Sequence, residues 1–226
     1  MKREHNPAVV AYRLIRNAIM VRGGLQPRGI YWWSKDGNTF QPASEPQLKM
    51  PNLVGSFNEA LRCFWNLHGF GSRCLLVSES RKTAEAMGKH YPATQFISCD
   101  LFFDLMGKQP GDRPEVIWDV CTDLPSDLRP RAFNSVVCNA LLEHVIAPTT
   151  AIKNFITLLA PGGHLYLYTH TPSYVKHQFP RDYVRFHHDY FEDMPGYLKK
   201  VYGLSCELLE VYSCEGTICV CYRTVS

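Results

Sequence analysis

Between residues 74 and 222, short apolar runs alternate with stretches whose apolar residues recur every three or four positions. The runs at 74–77, 95–99, 116–121, 134–138 and 164–170 have the length and the Val, Ile, Leu and Phe content of strands covered on both faces. Helical spacing predicts helices over 57–67, with Phe57, Leu61, Phe64 and Trp65 on one stripe, over 81–90, over 150–159, with Ile152, Phe155, Ile156 and Leu159 on one face, and over 190–201. Two late strands, 206–212 and 217–222, are separated by a tight turn at 213–216, the pattern of an antiparallel hairpin. The expectation is an α/β fold: a doubly wound, mostly parallel seven-stranded sheet with a C-terminal antiparallel hairpin at one edge.

The pattern ahead of this region differs. Val10, Leu14, Ala18 and Val21 recur at helical spacing with Arg13 and Arg16 off the stripe, and Gly23-Gly24 ends that helix. Residues 25–52 contain four prolines around Ile30-Tyr31-Trp32-Trp33 and the turn signal Asp36-Gly37-Asn38, which reads as an irregular arm or a small hairpin. The organisation expected is therefore a basic helix and arm over 1–52 and one domain over 53–226. Charge supports the division. Residues 1–50 hold eight Lys or Arg and three acids, a balance of +5, so the rest carries −2 of the net +3. A hydrophobic share of 46% excludes wholesale disorder, and so small a net charge excludes a polyanion-coating protein.

Nine cysteines, odd in number and without a C-x-x-C pair, sit mostly inside apolar runs and predict free buried thiols in a reducing, cytoplasmic setting. Cys219 and Cys221 alternate onto one face of a strand and read as core. Neither a signal peptide nor a membrane-spanning stretch is expected. His187-His188 lacks the companion ligands of a metal site, so none is expected.

In such a sheet, ligands bind at the carboxyl ends of the strands, near the point where strand order reverses. The residues there are Ser78-Glu79-Ser80, Asp100, Asp123-Leu124, Asn139-Ala140 followed by Glu143-His144, and Thr171-Pro172 followed by 177–183. An acid at the end of the second strand can accept hydrogen bonds from both hydroxyls of a ribose, which suits Asp100; Asp123 suits an exocyclic amine. Plainer roles compete. Asp100 and Asp123 also serve as turn formers, and Glu143 as a helix starter favoured by the dipole. His177, Asp182, Tyr183 and Arg185 form either a structural ion-pair loop or a lid over a substrate.

These positions carry a resemblance. The stretch 133–145, F-N-S-V-V-C-N-A-L-L-E-H-V, followed by L-L-A-P-G-G-H-L at 158–165, resembles class I S-adenosylmethionine-dependent methyltransferases of the type 11 group. Residues 119–125 are similar to that family's loop after strand three, and 177–186 to its H-x-x-P-x-D-Y-W-R-F segment. The resemblance spans roughly residues 70–190 and implies a Rossmann-like fold. It departs in two places. The glycine-rich V-L-D-x-G-x-G turn is here Leu75-Leu76-Val77-Ser78-Glu79-Ser80, with Leu76 in the acid's position, and Asn134 replaces the Asp of F-D-x-V. Glycine in such a turn permits positive φ and a close ligand approach.

The resemblance implies S-adenosylmethionine as cofactor, with Ser78, Glu79, Ser80, Asp100, Asp123, Leu124, Asn139 and Ala140 as cofactor-binding positions. His144, His177 and Tyr183 are the catalytic candidates, with His170 a further possible base. Methyl transfer needs the acceptor lone pair in line with the breaking C–S bond, and a ring nitrogen needs no base. With no recognisable triad, and with a basic, aromatic arm, the expected acceptor is RNA, the N7 of a cap guanine in particular, as in mRNA capping. A small-molecule acceptor is the alternative within the enzyme class. An inactive relative acting as a binding module is the alternative outside it.

Overall fold

The computed structural model describes residues 31–32, 41–42, 59–101, 113–172, 174, 181–214 and 216–225. Two short strands, β1 (Tyr31–Trp32) and β2 (Gln41–Pro42), pair antiparallel. The predicted helix at 9–21 and the proposed boundary at residue 52 lie outside the described residues.

The main sheet and its helices follow in chain order: α1 (Glu59–His68), β3 (Arg73–Val77), α2 (Arg81–His90), β4 (Gln95–Asp100), β5 (Val116–Ile117), β6 (Phe133–Asn139), α3 (Pro148–Leu158), β7 (Leu159–His170), α4 (His188–Tyr202), β8 (Cys206–Cys214) and β9 (Thr217–Thr224). The seven strands lie in the order β5-β4-β3-β6-β7-β9-β8. Neighbours from β5 to β7 run parallel, and β9 is antiparallel to both β7 and β8. This is the doubly wound, mostly parallel, Rossmann-like sheet with a C-terminal hairpin. Order reverses between β3 and β6, which opens a crevice at their carboxyl ends.

Period-two alternation divides the core into two layers. Leu75, Val77, Val136, Cys138, Leu165 and Leu167 face α3 and α4, where Ile152, Phe155, Phe191 and Leu198 are fully buried. Cys74, Leu76, Val137 and Tyr166 face α1 and α2, where Leu61, Phe64, Trp65 and Met87 close the second layer. Cys219 and Cys221 lie in that second layer, as expected. The apolar stripes are what make these segments helical in context; isolated helices of ten residues are marginal in water. Each end has its own stop or start. Ser80 caps α2 by accepting the Thr83 N–H at 3.2 Å, Pro148 opens α3, and Gly203, at φ +68°, closes α4 in the left-handed region.

Two expectations need correction. The third strand was expected over 116–121 but pairs only over Val116–Ile117. Beyond it Trp118 and Val120 leave the ladder to bury their side chains against α3, and the Asp119 carboxylate accepts the Cys121 N–H at 2.9 Å, turning the chain. The last hairpin is also tighter than 213–216, since β8 runs to Cys214 and β9 starts at Thr217. No helix among the described residues is long and apolar enough to cross a membrane.

Candidate functional site

The crevice at the switch point contains a cavity of about 310 Å³. Its floor comes from the ends of β3 and β4, with Val77, Ser78, Asp100 and Leu101. One wall is residues 118–121, the other the loop after β6, with Leu141, His144 and Val145; Tyr183 stands at the rim, about half exposed.

Backbone conformation distinguishes this crevice. Ser78 has φ +66° and Ala140 φ +49°, two of the three non-glycine residues in the left-handed region among those described. They stand on opposite sides of the strand-order reversal. Each is held by the ladder: the Ser78 N–H donates to the Cys99 carbonyl at 2.7 Å, and the Ala140 N–H to the Tyr168 carbonyl at 2.9 Å. A side chain in this region costs about 1–2 kcal/mol. The glycine-free turn thus keeps the conformation that glycine ordinarily supplies, and the surrounding sheet compensates the strain.

Polar groups gather behind the crevice. Asp100, the last residue of β4, is 5% exposed and lines the cavity. The Asn139 amide, at the end of β6, donates to Glu79 Oε1 at 3.1 Å, while its own Oδ1 is buried without a hydrogen-bond partner among the described residues. Glu143 is fully buried. It receives the Thr169 hydroxyl at 2.6 Å and lies 3.0 Å from His170 Nε2. Burial acts to raise this carboxyl, but the His170 hydrogen bond and charge, with the Thr169 hydroxyl, outweigh it and hold the group below its ordinary value of 4.5. The Glu143 carbonyl accepts the N–H groups of Tyr183 and Val184, at 2.8 and 3.3 Å, and the His170 carbonyl accepts that of Phe186 at 3.0 Å. His144 Nδ1 lies 3.1 Å from the Arg181 carbonyl. Residues 181–186 are therefore fastened along the crevice by the two loops that flank it. Tyr174 stacks on His170 with centroids 3.7 Å apart, and Arg185 forms a two-pronged pair with Asp182.

The structure brings together Ser78, Asp100, His144 and Tyr183 as lining, with Glu79, Asn139 and Ala140 beside them. It does not bring Asp123 or Leu124 to the cavity. The Asp123 carbonyl accepts the Trp118 indole N–H at 3.0 Å, Leu124 packs on the core, and Asp119 is the acid on that wall. Ser80 is engaged in capping α2. His177 lies outside the described residues. Sequence reasoning left Glu143 as a helix starter; the L-E-H triplet directly after a strand end was the available signal. The second departure, Asn134, sits at the opposite end of β6, where its Oδ1 accepts the Ser72 and Arg73 N–H groups, both at 3.1 Å. A Cβ on Gly71 would come within 2.4 Å of the Asn134 side chain, so glycine is needed there for space.

The family described as "Methyltransferase domain" matches residues 54–202. No curated protein matches the chain. Among solved structures, a SAM-dependent methyltransferase from Archaeoglobus fulgidus is similar at 12% identity and TM-score 0.53, over 73% of this chain and 91% of that one. The Burkholderia thailandensis 1,6-didemethyltoxoflavin-N1-methyltransferase, solved with 1,6-didemethyltoxoflavin and S-adenosylhomocysteine, is similar at 12% identity and TM-score 0.51, over 76% and 79%. Against the CurJ carbon methyltransferase (16% identity, TM-score 0.47) the match takes in 70% of this chain and about half, 49%, of that one. At such identities the likeness concerns the fold alone.

Proposed function

The chain belongs to the methyltransferase-domain family, and from that premise we propose that it transfers a methyl group from S-adenosylmethionine to an uncharged small-molecule acceptor. The observation that carries the cofactor reading is the pair of left-handed residues, Ser78 and Ala140, beside buried Asp100 at the switch point. The residues present suit the cofactor. A carboxylate, Asp100, ends β4, and the cavity combines largely apolar walls with a few polar groups, Ser78, Asp100, Asp119 and His144 among them.

When bound, the cofactor supplies a sulfonium methyl that is already electrophilic. Asp100, at a ladder end, would accept the paired ribose hydroxyls. Ser78, in the cavity lining, would let the backbone approach the cofactor closely. Leu101, Trp118, Val120 and Cys121 would provide apolar walls for a planar base. The remaining task is alignment of the acceptor, and its instruments are His144, on the loop after β6, and Tyr183, on the fastened segment. His144 is the candidate to take a proton where the acceptor carries one.

The acceptor reading follows from charge. The cavity lining holds Asp100, Asp119 and His144 but no Lys or Arg among the described residues, and Leu101, Ile146 and Tyr183 expose apolar surface there. Phosphates are not invited by that lining. A second reading, RNA with the N7 of a cap guanine as acceptor, is supported by the +5 balance of residues 1–50 and the Tyr31-Trp32-Trp33 run.

Calorimetric titration with S-adenosylhomocysteine tests the cofactor. Binding is expected, with Asp100→Ala weakening it roughly tenfold or more, the worth of hydrogen bonds to a charged acceptor. Absence of binding at millimolar ligand sinks the enzyme reading in favour of an inactive binding module. Radiolabelled methyl transfer to capped RNA, uncapped RNA and a metabolite extract then separates the acceptors; label in capped RNA alone would replace the small-molecule reading with the RNA one.

A further inference from the structure

The edge strand β8 and helix α4 enclose a second cavity, of about 450 Å³, away from the switch-point crevice. Two irregularities shape it. Leu209 is the extra residue of a bulge, since Leu208 pairs with Tyr222 and Glu210 with Cys221, and a bulge bends an edge strand out of its ladder. Pro195 stands inside α4 and has no N–H for the Phe191 carbonyl, which accepts the Tyr222 hydroxyl at 2.7 Å instead. Leu208, Leu209 and Val211 supply an apolar floor, flanked by Glu192 and Glu207. No Lys or Arg lines this groove among the described residues. Glu207 is paired with Arg223, whereas Glu192, exposed on α4, has no ion-pair partner among the described residues.

A cover of matching chemistry is tethered close by. β1, in the N-terminal arm, has Cα atoms within 8 Å of those of β8. Ten residues before β1 ends the segment 9–21, which lies outside the described residues. Its apolar stripe, Val10, Leu14, Ala18 and Val21, needs a surface to bury against, and Arg13 and Arg16 lie off that stripe. The lengths agree. A helical stripe from 10 to 21 is about 17 Å long at about 1.5 Å per residue, and β8 from Cys206 to Val211 covers about 17 Å at about 3.4 Å per residue. A ten-residue connection spans at most about 33–36 Å, enough to reach any point along β8. The charges agree as well, since residues 1–50 carry +5 and the charged residues of the groove are acids.

We propose that the segment 9–21 of this same chain seats in the groove between α4 and β8, with its apolar stripe on Leu208, Leu209 and Val211 and its arginines toward Glu192 and Glu207. The arm then clasps the last strand of the sheet, covers an edge otherwise open to pairing, and commits its basic residues within the molecule. A second copy of the chain and an RNA are the rival occupants. The assignment is independent of the cofactor reading.

Hydrogen exchange read by mass spectrometry on the full chain tests it. In the wild type, amides of 9–21 are expected to exchange roughly tenfold or more below the rate of an unstructured peptide, whatever the protein concentration. Leu14→Asp is expected to abolish that protection and to speed exchange in 206–211 roughly tenfold, while 118–122 stays unchanged. Glu192→Arg, on an exposed helix position, is expected to speed exchange of 9–21 roughly threefold at low salt. Circular dichroism melts check that each variant folds, and if one fails the other decides. Segment 9–21 exchanging as an unstructured peptide, or exchange in 206–211 unmoved by Leu14→Asp, would overturn the proposal. So would protection that disappears on dilution, which assigns the groove to a second copy, or protection of 9–21 that arises only with capped RNA, which assigns the arm to a nucleic acid.

Discussion

At the scale of single residues, Ser78 shows how a ligand turn persists without its usual glycine. The left-handed conformation is imposed by the ladder, through the Ser78 N–H on the Cys99 carbonyl, and the side chain tolerates it at a cost. Ser78→Gly should remove that cost of about 1–2 kcal/mol and return part of it as unfolded-state entropy, a net gain of up to about 1 kcal/mol. A β-branched Val at the same place should lose stability. Denaturant midpoints check both; a glycine variant less stable than wild type would show that the turn in solution is not left-handed. Neither the conformation nor the orphaned oxygen of Asn139 was legible in the sequence. Both depend on which strands become neighbours. Asp100 and His144 were legible because strand ends are marked by where apolar runs stop.

The elements obey their sequence patterns closely where one face is buried and less closely where a loop is doing the packing. The predicted helix over 81–90 appears with those bounds, because Ser80 caps it and its apolar stripe is short and clear. The predicted third strand ended early because Trp118 and Val120 gain more by packing than by pairing. The loop that results is held by α3: the Asn154 amide donates to the Val120 and Thr122 carbonyls at 2.9 and 2.7 Å. Asn154 is fully buried, so Asn154→Leu should leave both carbonyls unpaired and cost about 1–3 kcal/mol. Thermal melts give the cost. Faster hydrogen exchange confined to 118–122 would locate it, and an unchanged melting temperature would contradict it. In sequence, Asn154 is one of several polar residues in an amphipathic helix, beside Lys153, and nothing local distinguishes it from a surface position.

For the molecule as a whole, acid is the expected weakness. His164 is pushed down to about 4, by burial first and then by His68 and Arg223, and His68 is lowered for similar reasons. These groups bind fewer protons folded than unfolded. Stability is therefore fully present above the unfolded value of about 6.5 and lost progressively as pH falls toward the folded value near 4. Glu143 acts in the same direction lower down. Its lowered value favours the fold above the ordinary carboxylate range and withdraws that support as pH falls through it. Melting temperature should fall between pH 6.5 and 4, and His164→Phe, which keeps the ring between His68 and Tyr166, should flatten that slope. An identical slope in the variant would refute the assignment.

The sequence by itself determined the α/β class, the two-layer core and the strand ends that can meet a ligand, because burial periodicity and turn residues are local properties of the chain. It also divided a small net charge into a basic N-terminal part and a slightly acidic remainder. Only the tertiary structure decided which of those strand ends share one crevice, that Asp119 and not Asp123 reaches it, that Glu143 joins the loops around it, and that Glu79 and Asn139 face each other. Strand order, which fixes these neighbours, is set by long-range packing of the helices on both faces, and no stretch of sequence carries it alone.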